Sequence, residues 1–362
     1  MDDCVLVVDK PGRVILATER AERPTDGQFR AETIYSGLSA GTELSFLKGT
    51  NPFLHAEWDT ELGLFRPGGG GYPVRKLGYM EVAVVRESRT PAVEEGATVA
   101  MTYGHRSGYL GDPLTDRVVP LPDGLDPLLG IYVAHMGPIC ANGLLHAAAE
   151  LHGTDVRALS DGVLGRRVAV TGAGVVGLLT ALFARHHGAE EVVLVDPTPE
   201  RQAAATALGF EVLDPDSDPA TTLKSRWRHA AGDRGADVVF QCRGNAENLA
   251  IALRLLRPQG TAIDLAFYGG GAEALRLGEE FHHNGLAIRC AQIGRVPRGT
   301  AHLWDRERLS AETIRLLRAE GKGVLEHVIT DLVPLDQAPA LLADLADHRR
   351  HVLQAVFTFG DR

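Results

Sequence analysis

The stretch Val168-Ala169-Val170-Thr171-Gly172-Ala173-Gly174-Val175-Val176-Gly177 decides the fold. It passes from an apolar β-type run through a Gly-x-Gly-x-x-Gly turn into an apolar helical run, residues 175–187, that stops at Gly188. Each glycine answers a different steric demand. Gly172 permits the tight turn, Gly174 lets a ligand approach the backbone without a Cβ in the way, and Gly177 lets the helix pack closely on the strand. The N–H groups at the start of that helix, Val175 and Val176 included, carry a partial positive charge suited to a diphosphate.

Downstream, helices and strands alternate. Strands are expected at 167–171, 191–195, 211–213, 237–242, 261–267 and 287–293. Helices are expected at 143–151, 199–208, 221–231, 246–256 and 310–320, the last ended by Gly321. Val192-Val193-Leu194-Val195 has no polar alternation, as expected of a strand covered by helices on both faces. The pattern is α/β, a doubly wound, mostly parallel sheet. Its second strand ends in Asp196, 24 residues after Gly172. A carboxylate there accepts hydrogen bonds from the adenosine ribose and repels a 2′-phosphate, so NAD(H) is the expected cofactor. Arg201, five residues on, pulls towards a 2′-phosphate, but the aspartate is expected to dominate.

Upstream, short β-rich runs at 5–8, 14–17, 29–36, 81–86 and 98–101 are broken by Gly and Pro, which suggests a compact β-barrel-like unit. Residues 67–73 read as a loop, and 48–65 as irregular or briefly helical. The last stretch, 324–359, reads strand, helix over 335–346, strand, and on its own pattern extends either unit.

Bulk properties exclude several classes. A chain of 362 residues suits two domains. Its formal charge of -10, with no basic block, disfavours nucleic-acid binding. Asp2 and Asp3 stand where an export signal carries positive charge, and no apolar run is long enough to span a membrane. Cys4, Cys140, Cys242 and Cys290 are too scattered for a disulfide framework or a Cys-x-x-Cys metal site, and read as reduced thiols. The expectation is a cytoplasmic protein with a small-molecule substrate.

Several strings together resemble the medium-chain dehydrogenase/reductase superfamily, which includes the zinc alcohol and polyol dehydrogenases. They are Gly37-Leu38-Ser39-Ala40-Gly41-Thr42-Glu43, Leu77-Gly78-Tyr79, residues 118–124, the glycine turn, and residues 255–260. The Ser-Ala-Gly-Thr-Glu string is similar to a branch that includes bacteriochlorophyllide dehydrogenases. The resemblance implies a GroES-like β-rich catalytic domain over 1–141, to which 323–362 returns, and a Rossmann domain over 142–322. It also implies a homo-oligomer, a dimer through the edge of the Rossmann sheet or a tetramer.

The resemblance breaks at the metal. Where the family carries its three catalytic zinc ligands, this chain has Ala40, with Ser39 the nearest polar residue, then Tyr79, then Gly137 before Pro138. The four-cysteine structural zinc lobe is missing between Tyr103 and Pro120. A substitute site from His105, His135 and Cys140 is the weaker reading, so no metal is expected.

Without zinc, side chains must move the proton and hold the substrate oxygen. Thr42 sits where the family has a hydroxyl relay, or is a turn hydroxyl. Tyr79 takes the place of a histidine ligand, as a donor to the substrate oxygen or as filler. Glu43 orients a neighbour or pairs structurally. His135 falls where the resemblance places the cleft, and imidazole suits proton transfer. Tyr103, His105 and His55 are reserves. Three functions follow: oxidation of an alcohol on a sugar, cyclitol or secondary metabolite; NAD(P)H-dependent reduction of an activated C=C bond; and non-catalytic NAD(H) binding.

Overall fold

The computed structural model describes residues 2–360. The chain divides into two compact units, one running to His135 and resuming at Ile329, the other spanning Met136–Val328. These boundaries differ by a few residues from the expected 141/142 and 322/323. The helices Met136–His152 and Arg306–His327 are each continuous, so each belongs whole to the second unit.

The second unit is built on a six-stranded sheet. Its order is Glu211–Leu213, Glu191–Val195, Arg167–Thr171, Ala236–Gln241, Leu256–Asp264, Ala287–Cys290, and every pair is parallel. The order reverses between Arg167–Thr171 and Ala236–Gln241, the place where such sheets open a crevice at the strands' carboxyl ends. Ala169, Val193, Val239 and Ala262 are fully buried and pack with Trp227 and Leu253. All six expected strands are present.

Three helices differ from expectation, the one expected at 143–151 beginning already at Met136. The run expected at 221–231 is the helix Pro219–Arg226 followed by the short strand Arg228–Ala230, because Trp227 leaves helical geometry to bury its ring. The helix expected to stop at Gly321 continues as Arg306–His327. A mid-helix glycine costs about 1 kcal/mol relative to alanine. That cost is offset by close packing: Gly321 is buried, and a Cβ on Gly323 would lie 3.0 Å from Leu208.

The first unit carries a seven-stranded sheet. Its main path is Ile329–Pro334, Gln354–Thr358, Phe29–Gly37, Glu81–Ser88, Thr98–Met101, Val119–Pro120, with Gly108–Gly111 added to Phe29–Gly37. The carboxyl-terminal stretch therefore belongs to this unit through Gln354–Thr358, which pairs antiparallel with Phe29–Gly37. The hairpin Asp3–Lys10 with Arg13–Glu19 joins through bridges from Val5 to Arg106 and Val8 to Val74. Leu6, Leu38, Leu77, Leu342 and Phe357 form one core, and Phe29, Val85, Val99 and Met101 another.

Several elements here were not anticipated, the short strands Gly108–Gly111 and Val119–Pro120 among them. Ala40–Leu47 is an α-helix that begins within the Ser-Ala-Gly-Thr-Glu string. The segment expected to be irregular holds a short 3-10 turn, Pro52–Leu54, and a hairpin, Ala56–Asp59 with Leu64–Pro67.

Candidate functional site

In the second unit the glycines do what their spacing demands. Gly172 has φ +100°, a conformation L side chains rarely adopt, and a Cβ on Gly177 would lie 1.8 Å from the Gly172 carbonyl oxygen. Gly174 is open, with nothing nearer its missing Cβ than Arg201 Nη1 at 4.0 Å. It is the N-cap of the helix Val175–His186, and no side chain caps that terminus. The turn is a cradle with free backbone donors, and these residues fit a dinucleotide diphosphate.

Asp196 lies beside this cradle, but not as the sequence suggested. Its side chain is fully buried, and its two oxygens accept the N–H groups of Ala173 and Thr198, each at 2.8 Å. The carboxylate therefore braces the glycine loop rather than facing out for a ribose. Arg201 Nη1 stands 3.7 Å from it and Arg243 Nη1 4.0 Å. Sequence reasoning missed Arg243. The register could have found it: Thr171 pairs with Gln241, so residues just past 241 lie beside the turn.

In the first unit the structure brings Ser39, Tyr79 and His135 together. Tyr79 OH is hydrogen-bonded to Ser39 Oγ, and its ring lies 4.6 Å from that of His135, inclined at 59°. Tyr79 and His135 are both half-buried. Gly78 precedes the tyrosine with φ +100°, and a Cβ there would come within 2.7 Å of the His105 ring.

Thr42 lies in a helical turn, and Glu43 takes the structural pairing that was one of its two expected roles. Thr42 lies in the first turn of Ala40–Leu47, its N–H donating to the Ser39 carbonyl at 3.1 Å. Its own carbonyl accepts from Ser45 Oγ at 2.5 Å. Glu43 is 1% exposed, with one oxygen on the Ser39 N–H at 2.7 Å and the other on His105 Nε2 at 2.6 Å. It is enclosed by protein and does not present itself to a ligand.

Of the reserves, Tyr103 is buried, bonded to Thr33 at 2.6 Å and stacked on Tyr109 at 4.4 Å. Burial and the Glu81 charge push its pKa far up, outweighing the Thr33 bond and the Arg106 and Arg30 charges, so it stays a neutral phenol. His55 bonds the Gly49 carbonyl at 2.9 Å on the exposed side of its turn. His105 emerges as the hub of a buried network that the sequence offered only as a reserve residue.

A zinc ion does not fit these residues. Ala40 and Gly137 offer no side-chain donor atom, and Tyr79 is bonded to Ser39. His105 uses both ring nitrogens, on Glu43 and on Ser36. Cys140, in the second unit, is a buried thiol whose pKa burial pushes up to about 12. Among the described residues no group of three His, Cys, Asp or Glu side chains is placed to hold a metal.

A glycine cradle on a doubly wound parallel sheet, with a GroES-like β-rich unit built from both ends of the chain, defines a two-domain nucleotide-binding dehydrogenase. The family model "Zinc-binding dehydrogenase" matches residues 175–305, wholly within the second unit. D-guloside 3-dehydrogenase of Escherichia coli (strain K12) is 26% identical over 98% of this chain and 96% of that protein. NADP-dependent isopropanol dehydrogenase of Thermoanaerobacter brockii is 27% identical over 53% of this chain and 52% of that one. The solved structure of galactitol-1-phosphate dehydrogenase from Escherichia coli shares the fold, with TM-score 0.74, 16% identity, and coverage of 98% of this chain and 100% of that one. Residues 175–305 thus match the zinc-binding dehydrogenase family, and over nearly its whole length the chain is similar to a dehydrogenase.

Proposed function

We propose that this protein is a zinc-independent, NAD(H)-dependent dehydrogenase that oxidises a secondary hydroxyl of a polar small molecule, with glycosides the first class to test. The observation that carries this reading is the Ser39–Tyr79 hydroxyl pair beside His135, at the position where the superfamily resemblance puts a metal ligand. Bound nicotinamide supplies the hydride acceptor. The protein's own task is the proton: Tyr79 OH, bonded to Ser39 Oγ, holds the substrate oxygen and exchanges its proton, and the His135 imidazole lies against the phenol. The Gly172–Gly177 turn and the Val175–His186 amino terminus bind the diphosphate.

The glycoside class is supported by the full-length likeness to D-guloside 3-dehydrogenase. The metal-free reading is supported by the donor set: Ala40 and Gly137 offer no side-chain ligand atom, and Tyr79 is bonded to Ser39. NAD(H) is supported by the buried Asp196 charge beside the cradle, which disfavours a 2′-phosphate even though the carboxylate itself is turned to the Ala173 and Thr198 N–H groups. Arg201 and Arg243 flanking that carboxylate favour a second reading, in which NADP(H) is accepted through its 2′-phosphate.

The oligomer is proposed to form at the edge of the six-stranded sheet, where Ala287–Cys290 is exposed at all four residues. Light scattering on Ile288→Lys, expected to be monomeric, checks it. No helix among the described residues is long and apolar enough to cross a membrane. Four free cysteines suit a reducing compartment, proposed to be the cytoplasm.

The test is coenzyme reduction with a panel of methyl glycosides and polyols, after exhaustive chelation. Turnover that survives chelation, with NAD⁺ preferred, is the expected result. Coenzyme binding by calorimetry with no turnover of any alcohol or enone favours a non-catalytic protein, and turnover restored only by added zinc overturns the metal-free reading.

A further inference from the structure

Ser39 is the N-cap residue of the helix Ala40–Leu47, yet its hydroxyl caps nothing. An N-cap serine ordinarily accepts a first-turn N–H. Here the hydroxyl is turned to Tyr79 instead. The helix start is fixed by another group: Glu43 reaches back to the Ser39 N–H at 2.7 Å.

Behind Glu43 the bonding continues inward. Its second oxygen meets His105 Nε2 at 2.6 Å, and His105 Nδ1 meets Ser36 Oγ at 2.6 Å. Ser36 Oγ donates to Glu81 Oε1 at 3.0 Å, which also accepts the Met80 N–H at 3.2 Å. Ser36, Glu43, Glu81 and His105 are each no more than 1% exposed. The Phe357 ring lies edge-on to His105 at 4.8 Å, and Gly78 leaves room for the imidazole.

We propose that Glu43 and His105 are positioning residues: a buried ion pair that pins the amino terminus of Ala40–Leu47 and so aims Ser39 Oγ at the Tyr79 phenol. The proposal rests on the reading of Tyr79 as the group that exchanges the substrate's proton. The donors order themselves along the chain. With both ring nitrogens protonated, His105 donates to Glu43 and to Ser36, and Ser36 must then donate to Glu81. Burial lowers the His105 pKa, but the Glu43 charge and bond, with the Glu81 charge, outweigh it and raise the pKa overall. Burial pushes the Glu81 carboxyl up despite His105, and Glu43 is the carboxylate in direct contact with the imidazole. Tyr103, also near Glu81, stays neutral, and His135 is the titratable group on the other side of Tyr79.

Stability alone does not call for such a cluster. A buried ion pair replaced by apolar residues of equal volume is often neutral or stabilising, because desolvation offsets its Coulomb energy. What apolar residues cannot do is hold the Ser39 N–H and leave its hydroxyl available.

The test reads the Tyr79 phenol directly, as the tyrosinate absorbance each protein has and its own Tyr79→Phe counterpart lacks. Ser39→Ala removes the direct partner and is expected to shift this titration. Glu43→Gln and His105→Gln are expected to shift it in the same direction, and to lower kcat on the active methyl glycoside about tenfold while KM stays within about twofold. If these two variants unfold, Glu43→Asp, which keeps the charge and shortens the reach, carries the same expectation. A Tyr79 titration that moves in Ser39→Ala but stays at its wild-type midpoint in the Glu43 and His105 variants overturns the proposal. Full turnover in Tyr79→Phe instead defeats the proton-exchange reading, and the phenol shift still decides whether the ion pair aims it.

Discussion

The two units build their candidate sites from different materials. The cradle of the second unit is backbone: three glycines within six residues, with a helix terminus directly after them. The hydroxyl site of the first unit is made of side chains from separated segments: Ser39 before a helix, Tyr79 ahead of a strand, and His135 nearly sixty residues further on. A backbone site is local and tolerates almost no added atom at its tight points. A side-chain site is assembled by the fold, tolerates changes of shape, and is sensitive to the loss of single polar atoms.

The sharpest way to break this comparison is a crossed pair of substitutions. Tyr79→Phe removes one oxygen and is expected to lower kcat about 10²–10⁴-fold, the usual range for a general acid or base. Coenzyme affinity, measured by calorimetry, should not change. Gly177→Ala adds one carbon 1.8 Å from the Gly172 carbonyl oxygen. It should cost about 1–3 kcal/mol of stability by denaturant titration and weaken coenzyme binding up to about a hundredfold. If Tyr79→Phe weakened coenzyme binding as much as Gly177→Ala does, the division of labour between the units would be wrong.

The same contrast explains what was legible in the sequence. The second unit could be read strand by strand, because its β-segments are unbroken apolar runs and its turns carry glycine. Its errors fell where tertiary packing overrode local signals, at Trp227 and at Gly321. In the first unit the longer strands were visible, but the short strands Gly108–Gly111 and Val119–Pro120 and the helix Ala40–Leu47 were not; the helix opens on Gly41 and Thr42, poor helix formers. Glu43 and His105 lie 62 residues apart, so nothing in their spacing announces that they touch. Asp196 was correctly located at the strand end, but which way its carboxylate turns depends on Ala173 and Thr198 and is not written in a motif.

A smaller effect sharpens the account of the cradle. Arg201→Ala and Arg243→Ala each remove a guanidinium close to Asp196. If the arginines serve a 2′-phosphate, each change should lower kcat/KM with NADPH about tenfold and leave NADH within about twofold, as expected for loss of one charged hydrogen bond. If they only balance the buried aspartate, both coenzymes should lose alike, with a fall in melting temperature. Steady-state kinetics with the two coenzymes side by side separate these outcomes.

The smallest expected effect compares one buried histidine from each unit. His105 in the first unit has its pKa raised, because Glu43 and Glu81 outweigh burial. The native state then holds a proton that the unfolded chain releases near pH 6.5, so its contribution is full below that pH and is lost as pH rises through the folded value. His146 in the second unit is the reverse: burial, with Arg289 adding to it, lowers its pKa to about 4. Its contribution is full above about pH 6.5 and is lost as pH falls towards 4. The stability difference between wild type and His105→Gln should therefore shrink towards alkaline pH, and that for His146→Gln should shrink towards acid. Each slope is bounded by one proton, at most about 1.4 kcal/mol per pH unit. Denaturant titrations of the two variants across pH 4–9 check this. Parallel slopes would mean that His105 is buried neutral like His146, and that Glu43 has no imidazolium to hold.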